Sequence, residues 1–225
     1  MSTEKIIEYY NQLASEYDEN RFGNSYGQFI DFQERRILNK VFKNQSGKIL
    51  DLACGSGRLT NFATSGADAS EEMLKIAQKK HSEREFFQAK SNELPFEKET
   101  FQGCLTFHFI MHLNEVIFTK TIDEVHRILS KNGTFVFDIP VKSRRKILNQ
   151  NQENWHAALS FNQDEIEKFI KNKFEIRKKF GLLIIPIHRI PKRFRKYFLT
   201  FDFLLSNFGL LKNLSSYHIY ELRKI

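Results

Sequence analysis

A chain of 225 residues with 41% hydrophobic and 28% charged side chains is long enough for one sizeable core and has the balance of a globular protein. No apolar run approaches the roughly 20 residues of a membrane-spanning helix, and the opening Met1-Ser-Thr-Glu-Lys5 lacks the apolar segment of a secretory signal. Cys54 and Cys104 have no metal-ligand spacing, so the expectation is a reduced, cytoplasmic protein. The formal charge of +8 admits nucleic acid, an anionic membrane surface or an acidic substrate as partner, and equally a solvated basic surface with no partner at all. With 23 Phe against 7 Tyr and 1 Trp, Phe is expected to dominate core packing.

Ile6, Tyr10, Leu13 and Tyr17 recur at helical spacing and predict an amphipathic helix over residues 4–19. Gly23, Asn24 and Gly27 predict a flexible connection over 22–28, and Ile30, Ile37, Leu38 and Val41 a second helix over 29–42. Lys48-Ile-Leu-Asp-Leu-Ala-Cys-Gly-Ser-Gly-Arg-Leu-Thr60 follows. Residues 49–53 read as a short buried parallel strand with Asp51 at its centre. Gly55 and Gly57 let the backbone turn sharply and approach a ligand with no Cβ in the way. Arg58 onward can open a helix whose first amides point at that ligand. A dinucleotide loop would place a third glycine where Thr60 stands, and the lysine of a phosphate-binding loop is missing. The pattern therefore favours a nucleoside-type ligand without phosphates.

Asp51-Leu-Ala-Cys-Gly-Ser-Gly57 resembles motif I of the class I S-adenosylmethionine-dependent methyltransferases, of the kind often called type 11. The resemblance covers residues 5–140 well and the tail in outline. It implies an α/β fold: a Rossmann-like seven-stranded sheet, mostly parallel with an antiparallel last strand, and helices on both faces. It further implies one methyltransferase domain over residues 1–225, divided into a helical lid (1–44), a cofactor-binding core (45–140) and a substrate side (141–225). S-adenosylmethionine is the implied cofactor, with Asp51, Ala53, Gly55 and Gly57 as its first contacts. Tyr9-Tyr10, Ala14 and Tyr17-Asp18 resemble a lid segment in which Tyr17 either touches the cofactor or packs.

Asp68 follows Gly57 by only eleven positions, so the first core helix must shrink to about a turn, or the second strand to two or three residues. Asp68-Ala-Ser-Glu-Glu-Met-Leu-Lys-Ile-Ala77 still resembles the family's acid at the end of the second strand, followed by a helix start. That implies Asp68 as acceptor for the ribose hydroxyls, Ala69 beside it, and Met73 either on the adenine or in the core, while Ser70 reads as a helix cap. Residues 85–89 read as a third strand, and Leu94-Pro95-Phe96 resembles the motif after it. The family's adenine-binding Asp falls at Lys90, which cannot accept a hydrogen bond when charged; Asn92, a backbone carbonyl and the Ser91 amide remain for the contact. Residues 101–113 read as the fourth strand and its turn, with Gln102 in place of the family's Asp and His112 matching its His. Ligands of open parallel sheets lie beyond the carboxyl ends of the strands, so Phe107 to His112 should border the site. His108 and His112 are the two candidates for catalytic general acid–base work, or else are packed structural histidines.

Residues 117–129 read as a helix, Asn132-Gly133 as a turn, and 134–139 as a strand that brings Asp138 to its end. A helix over 162–172, a strand over 174–180 and a final strand over 216–222 complete the pattern. Between the last two strands lies a long insertion, 181–215, in which basic residues interleave with aromatics and leucines. It suits an interfacial helix pair making peripheral membrane contact through 186–211, a cap over a hydrophobic substrate, or a helical hairpin on the sheet or at a dimer contact. The expected activity is methyl transfer to a small-molecule acceptor, apolar or lipid-linked. Competing readings are RNA or protein methylation, motivated by the net charge, and a degenerate fold that binds partners without catalysis, to which Lys90 and Gln102 point. No DNA partner and no metal site are expected.

Overall fold

The computed structural model of the chain describes residues 3–147 and 159–225. At its centre, β1 (Ile49–Leu52) buries all four residues, because strands pair on both sides and helices cover both faces. β2 (Ser65–Asp68), β3 (Glu85–Gln88), β4 (Phe101–Thr106), β5 (Leu129–Pro140), β6 (Phe174–Leu182) and β7 (Tyr217–Lys224) complete a seven-stranded sheet in the order β3-β2-β1-β4-β5-β7-β6. The first five strands are mutually parallel, and β7 runs antiparallel to both its neighbours. This is the expected architecture. Strand order reverses between β1 and β4, so a crevice opens beyond their carboxyl ends.

Seven α-helices accompany the sheet among the described residues: α1 (Thr3–Leu13), α2 (Ser25–Phe42), α3 (Glu71–Lys80), α4 (Glu115–Ile128), α5 (Lys142–Ile147), α6 (Gln163–Ile170) and α7 (Leu199–Ser206). On one face, Phe118, Ile122 and Val125 of α4 and Ile166 of α6 pack against Leu50, Phe135 and Phe137. On the other, Phe29, Ile37 and Leu38 of α2 and Phe203 of α7 meet Leu105, Val136 and Ile219. Phe does carry much of this packing: the Phe118 ring lies 5.6 Å from Phe161 and 5.0 Å from Phe169.

Four local expectations change. Residues 22–28 are not a loose connection: a π-turn over Glu19–Gly23 leads to Asn24, whose Oδ1 accepts from the Tyr26 and Gly27 amides and starts α2. Asn beside Gly reads as a loop, but Asn is also a strong helix cap. No helix opens at Arg58; a single 3₁₀ turn, Thr60–Phe62, fills the space before β2, because eleven positions cannot hold both a helix and a strand. β5 begins at Leu129, directly after α4, and takes up Asn132 (φ 63°) as an irregularity where the register against β4 shifts. The insertion forms no helix pair: α7 is flanked by 3₁₀ turns at Ile187–Arg189, Lys192–Phe198 and Gly209–Leu214.

Candidate active site

Beyond the carboxyl ends of β1, β2 and β4 lies a cavity of about 670 Å³, roofed by Ile6, Ile7 and Tyr10 of α1. A ligand site of this kind commonly spans about 300–1,000 Å³. Ala53, Gly55, Asp68, Ala69, Met73, Ser91, Asn92, Phe107, Tyr17, His108 and His112 all line it. Two other predicted contacts, Asp51 and Gly57, stand outside.

The glycine loop explains that division. Ala53 and Gly55 take φ values of 54° and 53°, which fold the chain back over the end of β1. A Cβ at Gly55 would meet nothing closer than Met73 Sδ at 4.0 Å, so the space above this residue is open to a ligand. Gly57 (φ 80°) turns away; a Cβ there would press on His81 at 3.0 Å and Ala77 at 3.1 Å, and its carbonyl lies 2.8 Å from His81 Nε2. It serves close packing of the loop on α3. Asp51 is buried and accepts from Thr60 Oγ1 at 2.7 Å, tying the far end of the loop to the central strand. Burial raises its pKa to about 7, against the opposing pull of Thr60 and Arg58.

Asp68 ends β2 with both carboxylate oxygens aimed by backbone amides: Gly55 N donates to Oδ2 and Ser70 N to Oδ1, each at 2.8 Å. Burial raises the Asp68 pKa, while the Ser70 and Gly55 amides favour the charged form. Asp68 lines the cavity, and its two oxygens offer more acceptor sites than these amides fill. Ser70 caps α3 by accepting from Met73 N and, through its hydroxyl, donates to Asn11 Oδ1 of α1 at 2.6 Å. Asp18 accepts from Ser56 Oγ at 2.6 Å and pairs with Lys80. These contacts fasten the N-terminal segment over the cavity.

On the opposite wall, Ser91 lines the cavity, and its Oγ is engaged by Thr121 Oγ1 at 2.8 Å. Lys90 pairs with Glu4 across the rim at 3.5 Å. His112 Nε2 lies 3.3 Å from the Tyr10 hydroxyl, and burial holds the Tyr10 pKa up.

His108 is in a different situation. Its Nε2 is 2.7 Å from Glu34 Oε1 and its Nδ1 3.6 Å from Asp138 Oδ2, while its amide donates to Asp138 Oδ1 at 2.7 Å. Burial opposes the charged ring, but Glu34 and Asp138 outweigh it and raise the pKa. Glu34, which burial alone would push up, is held at about 2 by His108 and Arg58. Burial raises Asp138. The two carboxylates favour the charged form of the His108 ring, which makes it a poorer proton acceptor than an unpaired imidazole. The donor atoms of Glu34, His108 and Asp138 lie within 4.8 Å of one another, as a metal ion would require, yet Arg58 already supplies Glu34 with a cation at 2.8 Å.

Sequence reasoning missed Glu34. The available signal was its place on the apolar stripe of α2, one turn from both Ile30 and Leu38, where a charge must be paired. A larger, more open depression of about 1,030 Å³ lies behind Gly57 against α2. Its Asp31, Arg35 and Arg58 satisfy one another at 2.7 and 2.5 Å, so the convergent, ligand-facing groups belong to the smaller cavity.

Residues 50–137 match the family model described as a methyltransferase domain. An uncharacterized protein of Methanocaldococcus jannaschii is 34% identical over 137 residues, 60% of this chain and 51% of that one. A ubiquinone/menaquinone biosynthesis C-methyltransferase of Campylobacter jejuni is 30% identical over 149 residues, 59% of this chain and 62% of that one. The chain thus spans between half and two thirds of these curated relatives. The solved structure of an S-adenosylmethionine-dependent methyltransferase of Thermotoga maritima superposes with a TM-score of 0.72 at 18% identity, covering 96% of this chain and 98% of that one. The domain match covers the central strands, and with the strand order β3-β2-β1-β4-β5-β7-β6 and the glycine loop ending at an amide-held acid, the chain has the fold of the S-adenosylmethionine-dependent methyltransferases and carries a methyltransferase-like segment over residues 50–137.

Proposed function

We propose that the chain binds S-adenosylmethionine beneath α1 and transfers its methyl group to a small, apolar acceptor. The carrying observation is Asp68, whose two oxygens are oriented by the Gly55 and Ser70 amides at 2.8 Å and face the cavity as acceptors for a vicinal diol. Ala53, Gly55 and Ala69 would floor the cofactor site, Met73 and Asn92 would flank the adenine, the Ser91 amide would offer a donor, and Phe107 and Tyr17, which also line the cavity, would close its sides. The cofactor supplies an electrophilic sulfonium methyl; the protein aligns the acceptor with it and excludes water. Ile6, Ile7, Phe109, Leu113 and Ile117 line the remaining space, which suits an apolar acceptor body. The name of the Campylobacter relative supports the same chemical class. Where the acceptor must lose a proton, His112 is the group placed to take it, with Tyr10 holding its ring.

The test is calorimetric titration with S-adenosylmethionine and S-adenosylhomocysteine, followed by transfer of labelled methyl to phenolic and quinol acceptors. Micromolar cofactor binding and labelled product are expected. A folded protein that binds neither nucleoside would sink the reading in favour of a non-catalytic fold. Lys90→Asp is expected to tighten cofactor binding by about fivefold, roughly 1 kcal/mol, because it supplies an acceptor on the wall proposed for the adenine. An unchanged Kd would place the adenine amino group elsewhere.

A further inference from the structure

We propose that the insertion between β6 and β7 is a docking surface for an anionic lipid bilayer. Of the eleven large hydrophobic side chains exposed among the described residues, eight fall between Phe194 and Leu214. Tyr197, Phe208 and Leu210 are 69%, 72% and 86% exposed, values at which no intramolecular packing explains an aromatic or a leucine. The exposure is not the slack of an unanchored loop. Phe203 is buried under Arg36 and Lys40 of α2, and Asp202 accepts from Gln33 Nε2 at 2.7 Å and from the Ile185 amide at 2.6 Å. One side of the segment is fixed to the core, and the other presents its apolar side chains outward.

Charge selects the occupant. Asp202 is the only acid between Leu183 and Ser215, and it faces inward. Arg189, Lys192, Arg193 and Lys196 are exposed, and none is paired with a carboxylate of the described residues. Arg193 and Lys196 lie over the exposed Phe194 and Tyr197 rings at 4.7 and 5.1 Å. Cations interleaved with aromatic and leucine side chains match a headgroup layer over acyl chains: the cations meet lipid phosphates while the apolar groups enter beneath them. A second copy of the same surface would bring like charges together. Position agrees as well. Tyr217, where the insertion re-enters the sheet, pairs with Pro140 at the carboxyl end of β5, and its ring lies 6.3 Å from that of His108. The insertion therefore rises from the sheet edge that carries the cavity, and docking would face the site towards the bilayer.

This inference does not depend on the activity proposed above. The experiment is co-sedimentation of the whole chain with vesicles of phosphatidylcholine alone and of phosphatidylcholine mixed with phosphatidylglycerol. It is run for wild type, for Phe208→Ser/Leu210→Ser and for Lys192→Glu/Arg193→Glu/Lys196→Glu. The substituted side chains are exposed, so circular dichroism and cofactor titration are expected to match wild type, which separates this result from any failure of the cofactor site. Wild type should bind the mixed vesicles, at least tenfold more weakly at high salt, and each variant should lose binding by a similar factor. Equal partitioning to neutral vesicles, or none to either, would overturn the proposal. So would a dimer in sedimentation velocity that the Phe208→Ser/Leu210→Ser change dissolves, since the surface would then belong to a subunit interface.

Discussion

Asp68→Ala should weaken S-adenosylmethionine and S-adenosylhomocysteine binding on the order of 100-fold, about 3 kcal/mol. Two charge-assisted hydrogen bonds to a diol vanish, and the ligand's hydroxyls are left against apolar neighbours. The substitution also strips the Gly55 and Ser70 amides of their acceptor, so part of the loss comes from a glycine loop that no longer holds its turn. Asp68→Asn separates the two effects: one oxygen remains as acceptor, while the new NH₂ confronts one of the two amides as donor against donor. Its affinity should fall between wild type and alanine, with a lowered melting temperature. Calorimetry below the melting transition of each variant reads the first quantity and a thermal melt the second. A Kd for Asp68→Ala within threefold of wild type would remove Asp68 from the cofactor site.

The second large effect concerns stability. Glu34→Ala leaves His108 and Arg58 without their shared carboxylate in a buried setting and should cost about 3–5 kcal/mol, with a melting temperature lower by roughly 10 °C. The contribution is also pH-dependent, with a definite sign. Glu34 is lowered from 4.5 to about 2, so its share is present above pH 4.5 and lost as pH falls towards 2. His108 is raised from 6.5, so its share is complete below 6.5 and lost as pH rises through its folded value. Asp138, raised by burial, likewise favours the acid side. The difference in melting temperature between wild type and Glu34→Gln should peak between roughly pH 4.5 and 6.5 and shrink on either side. A difference that stays flat to alkaline pH would show that His108 is not held as an imidazolium.

That cluster also marks the limit of what could be read from residues in a row. The glycine loop, the Asp68 strand end and the Ser70 cap were legible because each depends on neighbours within a few positions, through backbone turning, capping and apolar runs. The shortened segment after Gly57 followed from spacing alone. The loop residues were legible as a set but not in their individual tasks: Asp51 and Gly57 carry the same motif as Gly55, yet one ties down Thr60 and the other packs on Ala77 and His81. Asn24 was misread because the same side chain suits a loop or a helix cap, and only the helix that follows settles which.

The sequence by itself placed the buried first strand, the glycine turn and the Ser70 helix cap, since short-range periodicity and turn chemistry encode them, while the sheet class and the role of Asp68 came as what the resemblance to a methyltransferase motif implied. Tertiary structure alone brought Glu34, His108 and Asp138, from three distant segments, into one buried cluster and set His112 beside the Tyr10 hydroxyl. It also decided which apolar residues of the insertion are anchored and which stand in solvent. Whether a charge is paired, or a ring exposed, depends on what packs against it, and those neighbours come from elsewhere in the chain.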